Sequence, residues 1–251
     1  MQNALTRLLG GIADVFWPRA CAVVTCAHPS DRAGRHICST CFAGLPFHEA
    51  GGSCRICGAT IVSKVQHDFV CEICSKTPPP FEFARSAVLY REPADRLLQD
   101  FKFRKATWLC ADFTDLLEGA VRAKLAFSEI DVIVPVPLFP AREQERGYNQ
   151  SALLAEALGA RLNRRVDAAS FVRTRDTPHQ SRLSGEERRK NLKGAFAVKD
   201  PRFIRGRTVL LIDDVTTSGS TLNEGARALL DGGAARVWCA TVARAVRTTN
   251  A

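Results

Sequence analysis

The sequence predicts an α/β protein in which helices cover a parallel sheet, preceded by a small cysteine-rich region. Three observations indicate this fold class. Short apolar runs alternate with segments of helical periodicity after residue 80. Eight of the ten cysteines fall between Cys21 and Cys74, in pairs. Finally, one apolar run ends in two acidic residues, followed by a hydroxyl-rich turn and a helix.

The predicted elements of the α/β part follow from the period of the apolar residues. Runs rich in β-branched residues predict buried strands, and spacings of three and four predict helices. The predicted strands span residues 84–90, 131–136, 208–212 and 236–242, and the predicted helices span residues 95–103, 106–126, 150–162 and 222–231. Gly232 and Gly233 end the last helix. Strands that alternate with helices in this way form a parallel sheet covered by helices.

The chain divides into three predicted parts. Residues 1–20 form an N-terminal helix, residues 21–80 form the cysteine-rich region, and residues 81–251 form the α/β domain. The proline-rich segment at residues 76–80 is typical of a stiff linker, and we place the boundary there.

The first 18 residues lack the basic end, the long apolar run and the cleavage site of a signal peptide. Their apolar residues have helical spacing, which favours docking on the chain's own core or on a partner over a helix at a membrane surface. No stretch of about 18 apolar residues predicts a transmembrane segment. We therefore expect the protein in the cytoplasm.

The net charge of +9 over 251 residues suits a phosphorylated ligand or a nucleic acid equally well. The hydrophobic content of 46% is enough for a substantial core. Composition therefore does not choose between the two kinds of anionic partner.

The paired cysteines predict metal binding rather than disulfides, because no secretion signal is present. The pairs are Cys21/Cys26, Cys38/Cys41, Cys54/Cys57 and Cys71/Cys74. The last two pairs have the spacing of a zinc ribbon, and the first two form a second candidate, in which His28 or His36 is an alternative ligand. Nested sites are the simplest arrangement, while interleaved sites and unmetallated or redox-active thiols remain alternatives.

The cysteines outside this region, Cys110 and Cys239, lie among apolar residues and are expected in the core.

The segment from Val209 to Thr221 reads VLLIDDVTTSGST and predicts a phosphate site. The carboxyl end of a parallel strand is where such sheets bind ligands. Gly219 allows a close backbone approach to an anion, and the unpaired amides of the following helix point at it. Asp213 and Asp214 can accept hydrogen bonds from sugar hydroxyls. Ordinary helix capping explains the hydroxyls alone, but not the full order of strand, acids, turn and helix.

This segment resembles the phosphoribosyl pyrophosphate motif of type I phosphoribosyltransferases. Together with the cysteine pairs, four further motifs are similar to the ComF family of competence-associated bacterial proteins: FKFR at 101–104, VPVPL at 134–138, RGYNQ at 146–150 and RTRDTPHQSRLSGEERRKNLKGAF at 173–196. The resemblance covers about residues 5 to 245. Two departures exist: Ser218 stands where the family often has Thr, and four residues rather than two separate Cys21 from Cys26.

The resemblance implies roles for particular residues. Asp213 and Asp214 would hold the ribose hydroxyls, Lys102 would lie on or beside a mobile segment that closes over the site, and these three are the predicted catalytic residues. The loop at residues 137–142 would face the pyrophosphate. The predicted ligand-binding residues are Thr216, Thr217, Ser218, Gly219, Ser220, Thr221, Pro137 and Arg146.

Two functions follow as hypotheses, and a third joins them: a sugar-phosphate pocket that senses a nucleotide while the zinc ribbons bind a partner protein. The first is an enzyme that transfers ribose 5-phosphate from phosphoribosyl pyrophosphate, with Mg²⁺ stabilising the leaving pyrophosphate. The alternative is a non-catalytic competence factor that binds single-stranded DNA, a DNA-uptake helicase or another protein through zinc ribbons and basic surface. Its basic run comprises Arg182, Arg188, Arg189, Lys190 and Lys193. Glu186 and Glu187 interrupt that run, which favours a solvated helix face. For the first hypothesis, no residue identifies the base or amine that would accept the ribose 5-phosphate.

Overall fold

The computed structural model describes residues 19–48, 52–60, 69–124, 127–176 and 192–245. The predicted N-terminal helix within residues 1–18 lies outside these ranges. A five-stranded parallel sheet with the order β1-β7-β6-β2-β3 forms the centre, which confirms the predicted fold class. Its strands are β1 Phe83–Leu89, β2 Val132–Pro135, β3 Arg165–Val166, β6 Thr208–Thr216 and β7 Arg236–Arg244. A separate antiparallel pair comprises β4 Phe171–Arg173 and β5 Phe196–Val198.

Seven helices lie in the described ranges: α1 Ser39–Ala43, α2 Glu72–Lys76, α3 Ala94–Phe103, α4 Cys110–Lys124, α5 Pro140–Arg146, α6 Gln150–Leu162 and α7 Ser220–Asp231. Short 3₁₀ turns span Thr107–Leu109, Phe127–Glu129 and Pro201–Phe203. In the part of the chain that the structure describes, no helix combines the length and apolar character needed to cross a membrane.

Strand β6 differs from its prediction in one way that matters for function. It continues to Thr216 rather than ending at Ile212, because its pairing with β7 persists beyond the apolar run. Asp213 pairs with Thr241 in this register. The two aspartates therefore belong to the strand, whereas the predicted strand ends just before them. Six short elements that carry few apolar repeats were not predicted: α1, α2, α5, β3, β4 and β5.

The sheet separates two cores. Side chains of β6 alternate between them: Leu210 and Ile212 pack with α3, α4 and α6, whereas Val209 and Leu211 pack with α7. Such alternation on a strand buried on both faces is expected of a helix-covered parallel sheet. Cys239 is buried in the core on the α7 face as predicted, and Cys110 is half-buried.

Both halves of the cysteine-rich region dock on the α/β domain. In the first half, Asp112 of α4 accepts hydrogen bonds from the amides of His36 and Ile37, at 2.9 and 3.3 Å. In the second half, the amide of Ala84 on β1 donates to the carbonyl of Ile56 at 2.8 Å. A Cβ atom at Gly58 would lie 2.7 Å from the Ala84 carbonyl oxygen, so this approach requires glycine.

Candidate functional site

A cavity of about 350 Å³ opens at the carboxyl end of β6. It lies between the turn that leads into α7, the loop after β2 and the end of α3. Its lining includes residues predicted from the sequence and others that were not: Tyr90, Lys102, Phe103, Pro137, Arg142, Arg146, Gln150, Arg173, Asp213, Asp214 and the residues from Thr216 to Thr221. The structure thus brings all the predicted catalytic and ligand-binding residues to one cavity.

Asp213 and Asp214 form the floor of the cavity, and both are buried. Asp213 Oδ1 accepts hydrogen bonds from Ser151 Oγ at 3.0 Å and from the Asp214 amide at 2.9 Å. Burial and the neighbouring Asp214 charge raise the pKa of Asp213 to about 7, against the opposing effect of Lys102. Asp213 is therefore the carboxyl whose protonation can change near neutral pH.

Lys102 lies in the last turn of α3, and its Nζ is 2.8 Å from Asp214 Oδ2. Burial alone would lower the pKa of Lys102, but the nearby Asp214 and Asp213 charges raise it above its ordinary value. The Tyr148 hydroxyl donates to the Phe101 carbonyl and ties this turn of α3 to the segment before α6. In this structure, Lys102 lies in a helix that is held by these contacts.

The turn between β6 and α7 has the geometry of an anion site. Gly219 is the N-cap of α7 with φ of 80°, in the left-handed region that favours glycine. Glycine has no side chain to cap the helix, and its first turn is capped instead by a long hydrogen bond of 3.4 Å from the Ser220 amide to Ser218 Oγ. An anion can replace so weak a cap and accept from the amides of this turn. Ser218 and Ser220 place their hydroxyls 2.8 Å apart beside these amides. Thr216 Oγ1 is buried and has no hydrogen-bond partner among the described residues.

Arginines surround the opposite side of the cavity. Arg142 and Arg146 come from α5, and Arg173 comes from β4. Arg142 pairs with Asp176 at 2.9 Å, and burial lowers the pKa of Arg146. With Lys102, four cationic side chains line the cavity against two carboxylates on its floor. This excess of positive charge favours a polyanionic ligand.

Sequence reasoning missed lining residues, among them Tyr90 and Arg173, and the buried Ser151, which contacts Asp213 without lining the cavity. Asn149 positions Ser151 against Asp213. The side-chain oxygen of Asn149 caps α6, and its side-chain nitrogen donates to the Val136 carbonyl, which holds the start of α6 at the end of β2. An Asn before a helical run is a recognisable N-cap signal, although its proximity to Asp213 depends on the tertiary fold. No local pattern indicates Arg173 or Tyr90 as members of this cavity.

The cysteines form two separate tetrads in the nested arrangement: Cys21, Cys26, Cys38 and Cys41 in the first, and Cys54, Cys57, Cys71 and Cys74 in the second. Within each tetrad the sulfur atoms lie within 4.8 Å of one another. The Sγ atoms of Cys26 and Cys38 are 3.8 Å apart, as are those of Cys57 and Cys71. Four sulfurs at about 2.3 Å from Zn²⁺ lie about 3.8 Å from one another in a regular tetrahedron.

Backbone amides also orient the sulfurs. The amide of Cys41 points at Cys38 Sγ, and the amide of Cys71 points at Cys54 Sγ, both at 3.4 Å. Such donors stabilise thiolates and fix their direction. The residues present therefore fit two structural zinc ions, and neither His28 nor His36 is needed to complete a tetrad.

The predicted basic run lies outside the described residues apart from Lys193, and His179 also lies outside them. Lys193 is exposed and lines a second pocket, which lies beside α7 and apart from the cavity described above.

Comparison with known proteins is consistent with this site. Residues 145–250 match the model of the phosphoribosyl transferase domain family. The chain is 34% identical to the DNA utilization protein YhgH of Escherichia coli K12 over 81% of this chain and 88% of that protein. It is 38% identical to Competence protein F of Haemophilus influenzae over 68% and 75% of the two chains. It is 32% identical to Competence protein ComFC of Bacillus subtilis over 60% of this chain and 59% of that protein.

Proposed function

Since this chain belongs to the ComF family of proteins with a phosphoribosyltransferase domain, we propose that its cavity binds phosphoribosyl pyrophosphate or a related ribose 5-phosphate together with Mg²⁺. The relatives named for competence and for DNA utilization suggest that this binding serves the uptake or use of DNA. The observation that carries the proposal is that three features line one cavity: the turn at residues 217–221, which we call the phosphate turn, two buried carboxylates, and four cationic side chains.

Each part of the cavity suits one part of the ligand. The amides and hydroxyls from Thr217 to Thr221 match the 5-phosphate, which is doubly anionic and rich in acceptors. The carboxylates of Asp213 and Asp214 match the ribose 2′- and 3′-hydroxyls, which need acceptors. Lys102 and Arg146 lie on the side where the pyrophosphate would extend.

Mg²⁺ fits this donor set because it prefers oxygen ligands and keeps most of its shell from water and phosphate oxygens. The carboxylates that line the cavity are those of Asp213 and Asp214, and Lys102 already neutralises Asp214. When bound, the ion would supply positive charge to the pyrophosphate oxygens.

The reaction that this arrangement favours is pentosyl transfer. Breaking the bond from the anomeric carbon to pyrophosphate leaves positive charge on the ring and negative charge on the leaving group. Lys102, Arg142 and Arg146 would stabilise the departing oxygens, and the paired acids would face the ring. The acceptor would enter beside Phe103 and Tyr90, which line the same cavity.

Titration calorimetry with phosphoribosyl pyrophosphate and Mg²⁺ tests the proposal. We expect saturable binding to the wild type and at least a hundredfold weaker binding to the Asp213→Asn/Asp214→Asn double variant. Thermal unfolding of both proteins controls for loss of fold. Equal weak heats for two folded proteins would remove the ligand assignment. Release of pyrophosphate, measured with candidate bases and amines, then tests transfer separately from binding.

A further inference from the structure

The second cysteine tetrad and the phosphate turn share one hydrophobic core. Cys54, Cys57 and Cys74 are buried in the same cluster as Leu222 and Ala226 of α7, the helix that begins at the turn. The first tetrad belongs to the core on the other face of the sheet, where Cys21 and Cys38 pack with α3 and α4 residues. Only the second tetrad is therefore placed to influence the turn through packing.

Arg244 links the second tetrad to the strand that carries the turn. It is the last residue of β7 and only 3% exposed. Its Nη1 donates to the Cys57 carbonyl at 2.7 Å, and its Nη2 lies 3.8 Å from Cys57 Sγ. Its backbone pairs with Thr216, and the amide of Ala245 donates to the Thr216 carbonyl at 2.9 Å. A single buried guanidinium thus connects a candidate metal ligand to the start of the turn.

The space between these two parts is small. A cleft of about 40 Å³ separates them, lined on one side by Cys57, Ile73 and Cys74 and on the other by Ser218, Gly219 and Asn223. A gap of this size holds little more than one water molecule. Around this small cleft the tetrad and α7 belong to one packed core. A displacement of the tetrad would therefore also displace the turn, because closely packed groups transmit displacement.

We propose that metal in the second tetrad and phosphorylated ligand at the turn bind cooperatively, with Arg244 as the positioning residue between them. This inference rests on the proposed ligand function. A Zn²⁺ ion with four thiolates carries a net charge of −2, which attracts the Arg244 guanidinium at Cys57 and fixes it. Arg244 in turn holds the end of β7 against Thr216. By linkage, ligand at the turn must then strengthen metal binding by the same factor.

Zinc release provides the first test. The rate of transfer of zinc from the fully loaded chain to a chromogenic chelator is measured with and without phosphoribosyl pyrophosphate and Mg²⁺. We expect the ligand to slow the release of one of the two ions about tenfold, within the usual range of coupling between sites. In Cys71→Ser, which retains only the first tetrad, the remaining ion should leave at a rate that the ligand does not change.

Arg244 provides the second test, which does not depend on folding of a tetrad variant. In Arg244→Met we expect about tenfold weaker ligand binding and loss of the ligand's effect on zinc release, both partly restored in Arg244→Lys. Arg32→Met is the matched control, because Arg32 donates to the Ile37 carbonyl beside the first tetrad, at 3.2 Å. That control should lower thermal stability without changing ligand affinity.

The outcomes separate the two proposals. If the wild type binds the ligand but zinc release is unchanged and Arg244→Met binds equally well, the coupling is wrong and the ligand site stands. If the folded wild type does not bind phosphoribosyl pyrophosphate at all, the proposed function fails and the coupling to that ligand fails with it.

Discussion

Lys102 Nζ lies 2.8 Å from Asp214 Oδ2, so the end of α3 and the end of β6 meet in an ion pair inside the cavity. The Asp214 side chain is 3% exposed and that of Lys102 is 26% exposed. Asp213 is next to this pair, and burial together with the Asp214 charge raises its pKa. Two buried acids therefore share one nearby ammonium group. Three predictions concern the charges of these acids and of Lys102.

Replacing Lys102 by Met removes the only described ion-pair partner of Asp214. We expect Lys102→Met to lose about 2 kcal/mol of unfolding free energy, because a buried carboxylate is left without its counter-charge. We also expect at least tenfold weaker binding of phosphoribosyl pyrophosphate. Urea unfolding and titration calorimetry measure the two effects.

Lys199→Met is the control for this change, since Lys199 is exposed and does not line the cavity. Its unfolding midpoint and ligand affinity should match those of the wild type. Unchanged ligand affinity in Lys102→Met would contradict the assignment of Lys102 to the site.

Asp213→Asn should change stability in a pH-dependent way. The folded-state pKa of Asp213 is about 7, above its ordinary value of 3.8, so the folded protein binds more protons between these values. The stability of the wild type therefore falls as pH rises through this window. Asn cannot ionise and keeps an oxygen that can accept from Ser151. We expect Asp213→Asn to be more stable than the wild type by about 2 kcal/mol at about pH 8, with the difference disappearing near about pH 4.

Thermal melts of both proteins across this pH range measure the difference. A constant difference in melting temperature at every pH would show that Asp213 does not titrate in this window. Such a gain in stability together with a loss of ligand binding is expected where a buried charge is kept for function at a cost in stability.

The sequence predicted the centre of the sheet and the turn because both depend on local pattern. The run from Val209 to Ile212 is apolar on both faces, and Gly219 follows at the one position with a positive φ in the turn. The continuation of β6 through Asp213 was not predictable, because pairing with β7 causes it. The contacts of Ser151 with Asp213 and of Arg244 with Cys57 join residues far apart in the chain, which no local signal records.

Ser151→Ala tests one of these long-range contacts. The Ser151 hydroxyl donates to Asp213 Oδ1 at 3.0 Å and so stabilises the carboxylate form of Asp213. Its removal should raise the pKa of Asp213 further, cost about 1 kcal/mol of stability at about pH 8 and weaken ligand binding about fivefold. Calorimetry at two pH values measures the affinity, and urea unfolding measures the stability.

Ser86→Ala is a matched control, because Ser86 and Thr241 share a hydrogen bond of 2.7 Å between β1 and β7, and neither residue lines the cavity. It should cost a similar amount of stability and leave ligand affinity unchanged. Equal losses of affinity in both variants would mean that Ser151 acts through general stability and not through Asp213.

Asp112→Ala tests how the first half of the cysteine-rich region is held on α4. The Asp112 side chain is fully buried and accepts from Arg32 at 3.0 Å as well as from the amides of His36 and Ile37. Its loss leaves two amides without their acceptor and removes one of the two carboxylates that Arg32 contacts, the other being Asp115, so we expect a decrease of about 3 kcal/mol in unfolding free energy. Asp112→Asn keeps one acceptor oxygen and should recover part of this loss. Arg202→Ala, which breaks an exposed pair with Asp200 and leaves the Asp200 side chain free to cap the following turn, should leave the urea midpoint unchanged. Since the first tetrad lies on the face of the sheet away from α7, ligand affinity should change less in Asp112→Ala than in Arg244→Met. The opposite order would assign support of the phosphate turn to the first tetrad.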